Sequence, residues 1–134
     1  MDRISPEKRS WQMAQVRRAH TGPEMIVRRF IHGLGYRYRL HDPGLPGTPD
    51  LVFPSRRKAI FVHGCFWHRH EGCRLASTPK CRSEFWQAKF DANRARDQRA
   101  VDALTEMGWS TMTIWQCEAK PGPEFERRLR DFLD

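Results

Sequence analysis

The sequence predicts an α/β domain, a mixed β-sheet flanked by helices, and three of its features carry that expectation. Helical and strand periodicities follow in the order helix, three short strands, long helix, strand, helix. Residues 50–53, an acid followed by three apolar residues, and the apolar run 59–62 are joined by a short basic turn, which makes them an antiparallel hairpin. A long helix then separates the hairpin from the last strand, giving the crossover that a strand needs to return beside its sheet.

The elements follow from local chemistry. Ser5, Pro6 and Glu7 supply an N-cap hydroxyl, a proline for the first helical position and an acid facing the helix dipole. The helix they start carries Lys8, Arg9, Arg17 and Arg18, while Trp11, Met13 and Val16 are too few for a wide core stripe. It reads as a basic arm over residues 1–20, with a surface helix docked by Trp11 as the alternative. A second helix starts at Thr21, with Pro23 and Glu24 in its first turn, and Gly33 and Gly35 end it. Ile26, Val27, Phe30, Ile31 and Leu34 give that helix a buried face. Glu24 either balances the dipole or reaches a nearby site.

Residues 36–40 read as a strand, and the Pro/Gly-rich stretch 41–49 as a loop. The hairpin geometry brings Asp50, at the start of one strand, close to Val62 and His63 at the end of the next. Residues 64–82 read as a Cys/His-rich loop. Ser83 opens a long helix that Gly108 stops, with Phe85, Phe90, Val101, Leu104 and Met107 as its apolar stripe. Residues 109–115 alternate as a strand, delivering Cys117 to the neighbourhood of that loop. A short helix with Phe125, Leu129, Phe132 and Leu133 closes the chain.

A chain of 134 residues, 39% hydrophobic with five Trp and eight Phe, is enough for one domain with one core. Its 24 Lys and Arg against 16 Asp and Glu leave a net charge of +8, and most of the cations are Arg. That balance suits a polyanion, nucleic acid first and an anionic membrane second, although a merely basic soluble protein has the same charge. No apolar run approaches a membrane span, and the N-terminus lacks the apolar core of a secretion signal. The expectation is a cytoplasmic protein in a reducing compartment, whose four cysteines are ligands or thiols rather than disulfides.

The chemistry concentrates in residues 63–73, which hold three histidines, two cysteines, a Phe-Trp pair and two glycines. Cys65, His70 and Cys73 are close enough for one loop to wrap a tetrahedral zinc, and Cys117 would complete a closed, structural site. Cys81 and His68 are rival ligands at this spacing. Asp50 after Pro49 at a strand start suits a nuclease carboxylate that holds magnesium against a scissile phosphate, though Asp after Pro is more often a turn residue. His63 and His68 lie beside that acid, where an imidazole near neutral pKa can deprotonate or orient water. Phe66 and Trp67 are hard to bury in a ligating loop and suit a wedge between base pairs, which Trp86 could join.

Pro-Asp-Leu-Val-Phe at 49–53, Ile-Phe-Val-His-Gly-Cys-Phe-Trp-His-Arg-His at 60–70 and Glu-Phe-Trp at 84–86 resemble the very short patch repair (Vsr-type) endonucleases. Asn93 with Asp97, and Trp-Gln-Cys at 115–117, extend the resemblance over nearly the whole chain. It implies a restriction-endonuclease-like fold in one nuclease domain over 1–134, with residues 21–134 as the catalytic core. It implies magnesium-dependent nicking of double-stranded DNA beside a T:G mismatch, of the kind left when 5-methylcytosine deaminates. Asp50 becomes the magnesium ligand with the Val62 backbone carbonyl beside it, and His68 the catalytic histidine. His63 and Glu24 stand round the metals through water. Structural zinc falls to Cys65, His70, Cys73 and Cys117, leaving Cys81 outside. Phe66, Trp67 and Trp86 become a major-groove wedge, and the arm grips DNA from the minor-groove side with Met13 inserted. A MutL-type repair protein joins the expected partners, and the expected state is a bacterial, nucleoid-associated monomer.

The chain departs from the family pattern in two places: Val62 stands where Thr is expected, and Glu71-Gly72 replaces further histidine. The other readings are a general nuclease of this fold in defence or recombination, a zinc-bearing DNA-binding module without catalysis, and an RNA-directed enzyme.

Overall fold

The structure, a computed structural model, describes residues 21–76 and 81–134. The expected basic arm, Met13 included, lies outside the described residues. Helix α1 spans Gly22–Gly33. Thr21 caps it, its Oγ1 accepting the Glu24 N–H at 3.3 Å, and Pro23 occupies the first turn, where a missing N–H breaks no helical bond. Glu24, Val27 and Ile31 recur at helical spacing as the buried side of α1. Ile26, expected on that side, is 40% exposed because it stands next to the stripe rather than on it.

Strand β1 is short, Arg39–Leu40, against the expected 36–40. Tyr36 instead enters the core, and its hydroxyl donates to Asp134 at the far end of the chain. β2 is Leu51–Phe53, and β3, Lys58–His63, follows a 3-10 turn over Pro54–Arg56. β4 is Ser110–Trp115. The sheet order is β1-β2-β3-β4. β1–β2 and β2–β3 pair antiparallel, and β3–β4 pair parallel from Lys58↔Ser110 to His63↔Trp115. The mixed sheet and the hairpin are as the sequence reading has them.

Where a loop was expected, Cys65–His68 form one turn of helix, α2. Helix α3, Ser83–Glu106, makes the crossover, and Gly108 at φ +84° follows its end. Helix α4 is Pro123–Leu133. The period-two alternation of β3 feeds two apolar layers. Ile60 joins Val27, Ile31, Phe125, Leu129 and Leu133 under α1 and α4, whereas Ala59 and Phe61 meet Ala100 and Leu104 of α3. Phe85 and Met107, expected in the α3 stripe, are 40% and 47% exposed, and Trp86 is buried in the first turns together with Phe90.

The loop between β1 and β2 presses on α3 at Gly47. Gly47 has φ +75°, and a Cβ there would lie 2.5 Å from Ala100 Cβ and 3.2 Å from Phe61 Cε1. Both the left-handed backbone and the contact demand glycine. Gly47→Ala is expected to destabilise the fold by about 2–3 kcal/mol, read as a lower urea midpoint. An unchanged midpoint would mean that the loop and helix do not meet closely.

Candidate active site

Two buried polar residues stand out among the described residues, Glu24 at 1% exposure and His63 at 8%. Buried acids and imidazoles are uncommon unless partnered or functional. Both line one cleft of about 520 Å³, together with Asp50, His68 and Asp97.

The acidic corner comes from α1, the β1–β2 loop and the start of β2. The hairpin fixes Asp50 as the sequence reading requires, with the Val62 N–H donating to Asp50 Oδ2 at 2.7 Å. His41 Nε2 lies 2.9 Å from Glu24 Oε2 and 3.8 Å from Asp50 Oδ1. Arg28, one turn along α1, reaches Glu24 Oε2 at 3.4 Å. Burial pushes the Asp50 carboxyl up to about 7, against the pull of the Val62 N–H, and the neighbouring Glu24 carboxylate adds to the rise. Two carboxylates held so close and so far from water need a cation, a proton or both.

The second group is His63, His68 and Asp97. His68 Nδ1 and Asp97 Oδ2 are 2.6 Å apart, so the carboxylate accepts from the ring and leaves Nε2 as the basic nitrogen. The His63 and His68 rings stack at 3.9 Å with planes 6° apart. Trp115 of β4 meets His63 edge-on at 5.3 Å. Burial, and then the neighbouring His68, lower the His63 pKa to about 4, so this ring is neutral at physiological pH. Asn93, one turn before Asp97 on α3, donates to the Trp67 carbonyl at 3.2 Å and ties α2 to the same helix.

Cys65, His70, Cys73 and Cys117 form the third group, their ligand atoms all within 4.8 Å of one another. His70 Nδ1 lies 3.7 Å from Cys65 Sγ and 3.4 Å from Cys117 Sγ. A tetrahedral zinc with its usual bond lengths to sulfur and nitrogen sets such S···N edges at about 3.6 Å, so the donor set fits that ion. Burial, reinforced by the Cys65 and Cys73 thiols, pushes Cys117 up to about 12. A hydrogen bond to the Leu75 backbone is the main cause that brings Cys73 down to about 7. Thiols crowded in this way do not all ionise unaided, and a bound cation would release their protons. His70 stacks on Trp115 at 4.3 Å, and Cys65 N donates to Gln116 Oε1 at 3.4 Å, so the end of β4 holds the whole turn. Of the rivals left open by spacing, His68 belongs to the histidine group, and Cys81 is exposed and outside this one.

Phe66 and Trp67 project from α2, half-buried, into the lining of the cleft. Trp86, which the resemblance sets in the same wedge, is 4% exposed. It packs beneath, 5.9 Å from the Phe66 ring and 6.0 Å from Phe90, because the first turns of α3 cross behind α2. Sequence reasoning missed His41, hidden in a stretch legible only as Pro and Gly. It gave Asp97 no role, although Asn93 and Asp97 at i and i+4 mark one polar face of α3.

A family model described as DNA mismatch endonuclease Vsr matches residues 1–74. The type II nicking enzyme V.XorIIP of Xanthomonas oryzae pv. oryzae is 55% identical over 133 residues, 99% of this chain and 97% of that protein. The type II nicking enzyme V.NmeAIP of Neisseria meningitidis is 35% identical over 119 residues, 89% of this chain and 84% of the relative. The DNA mismatch endonuclease Vsr of Escherichia coli K12 is 39% identical over 109 residues, covering 81% of this chain and 69% of the relative. A match over more than half the chain, and relatives this similar along nearly all of it, place this protein in the DNA mismatch endonuclease Vsr family.

Proposed function

We propose that this protein nicks one strand of duplex DNA beside a T:G mismatch by magnesium-dependent phosphodiester hydrolysis. The observation that carries the reading is the convergence of Asp50 with Glu24, and of His68 with Asp97, on one cleft. The Asp50 carboxylate and the Val62 backbone carbonyl would hold magnesium, and Val62 in place of Thr is tolerable where the carbonyl is the ligand. When bound there, magnesium supplies the positive charge that polarises a scissile phosphate.

The rest is done by the chain. Asp97 fixes the His68 ring, so that Nε2 takes a proton from the attacking water while the carboxylate steadies the imidazolium. His63, held neutral and stacked on that ring, opposes the imidazolium with no charge of its own. The water oxygen bonds to phosphorus, the P–O3′ bond breaks, and the 3′ oxygen takes a proton. The products are a 3′-hydroxyl and a 5′-phosphate. Lys89 and Arg96 line the cleft where backbone phosphates would pass. Phe66 and Trp67 would enter the mismatched step, with Trp86 as their support, and a structural zinc on Cys65, His70, Cys73 and Cys117 would fix the turn that carries them. The name of the Escherichia coli relative supports the mismatch specificity.

A magnesium cleavage assay on strand-labelled duplexes, one for each mismatch and one fully paired, tests the proposal. One labelled strand of the T:G duplex should be cut and the paired control spared; equal cutting of both makes this a general nuclease. No cutting under any divalent metal, with binding that persists in EDTA, makes it a binding module.

The raised Asp50 pKa adds a pH dependence. A carboxyl raised in the folded state stabilises most below its unfolded value near 4, and that contribution is lost as pH rises towards about 7. Magnesium replaces the lost proton, so the rise in melting temperature that it produces should be larger at pH 8 than at pH 5.5. An equal rise at both values would remove Asp50 from the metal site.

A further inference from the structure

The donor set of the acidic corner exceeds what a magnesium site uses. Glu24, His41 and Asp50 each offer one ligand atom, all within 4.8 Å, and they come from three different segments. His41 Nε2 stands 2.9 Å from Glu24 Oε2 and 3.8 Å from Asp50 Oδ1. Adjacent donors round an octahedral ion with bonds near 2.1 Å are about 3 Å apart, so a small inward movement of Asp50 brings all three to ligation distance. Asp50 Oδ2 is engaged by the Val62 N–H, and Oδ1 is the oxygen that faces the imidazole. His41 also donates its backbone N–H to the Asp50 carbonyl at 3.2 Å, which pins the ring's own residue to the start of β2. Arg28 touches Glu24 at 3.4 Å, a long contact that a cation can displace.

Magnesium takes oxygen ligands and keeps its waters, whereas imidazole suits first-row transition metals, with affinity rising from manganese through iron, cobalt and nickel to copper. We propose that Glu24, His41 and Asp50 form an inner-sphere site for an imidazole-accepting divalent ion, so that this nuclease binds first-row transition-metal ions, manganese included, in preference to magnesium. The inference rests on Asp50 as the metal-binding carboxylate of the proposed nuclease, and it adds His41 as a ligand on the Glu24 side.

The test is manganese titrated into the zinc-loaded full chain, followed by electron paramagnetic resonance with a spin-echo measurement of nitrogen coupling. The bound manganese should show coupling to an imidazole nitrogen, and labelling histidine with the heavier nitrogen isotope should change it with no mutation at all. In His41→Gln the coupling should vanish, and the preference for manganese over magnesium should fall by about tenfold or more. His41→Asn should repeat that result. Absence of nitrogen coupling in the unmutated protein overturns the proposal, as does coupling that survives His41→Gln and disappears in His68→Ala. Nicking of the T:G duplex in magnesium is measured alongside. Nicking without nitrogen coupling overturns the manganese site and spares the nuclease reading, while nitrogen-coupled manganese without nicking does the reverse.

Discussion

Asp50→Ala should lower nicking of a T:G duplex by about a thousandfold or more, because it removes the carboxylate that would place the metal charge at the phosphate. Affinity for the duplex should change little, since Lys89, Arg96 and the aromatic pair remain in place. Asp50 also accepts the Val62 N–H at 2.7 Å, so alanine leaves that donor without its partner. Asp50→Asn separates the two effects, keeping an acceptor for Val62 while removing the charge. Nicking should fall almost as far in Asp50→Asn as in Asp50→Ala. The metal-free Asn variant should melt higher than the unmutated protein at pH 8, since it buries no ionised carboxylate. Substantial turnover by Asp50→Asn would take Asp50 out of the metal site.

Cys73→Ser carries the largest expected effect on stability. Structural zinc sites contribute many kcal/mol to the folding of small domains. Here a preformed sheet supports the cluster, so the expected loss is a few kcal/mol, a fall in melting temperature of about 10 °C or more. Bound zinc should be lost with it. Nicking should fail as well, because His68 lies between Cys65 and His70 and takes its orientation from the turn they hold. Cys81→Ser, which changes an exposed thiol outside the cluster, should alter none of these. Full zinc content and normal melting in Cys73→Ser would refute the assignment.

The topology was legible because it rests on periodicity and chain length. The short turn forced the hairpin, the long helix forced the crossover, and both together forced Asp50 beside Val62 and Cys117 beside Cys65. Side-chain orientation on an element was less legible. Trp86 and Phe85 are adjacent, both large and aromatic, and only the packing of α3 across α2 decides that Trp86 is buried and Phe85 exposed. The Cys/His loop gained a helical turn because the 64–70 backbone bonds close on themselves, His68 N to Gly64 O and His70 N to Cys65 O. His41 was invisible for another reason. Its proximity to Glu24 is set by how α1 docks on the sheet, and no local pattern near residue 41 encodes that docking.

The parallel pairing of β3 with β4 also orders events in time. Asp50, His68 and Asp97 all precede β4 in the sequence, whereas Trp115, Gln116 and Cys117, which hold the turn bearing His68, come at its end or just after it. A chain emerging from the ribosome therefore displays Asp50, His68 and Asp97 before the contacts that position the His68 turn have been made. On the proposed reading, cutting competence would arrive with the last strand, and a product truncated before β4 would carry Asp50 and His68 without the geometry to damage DNA.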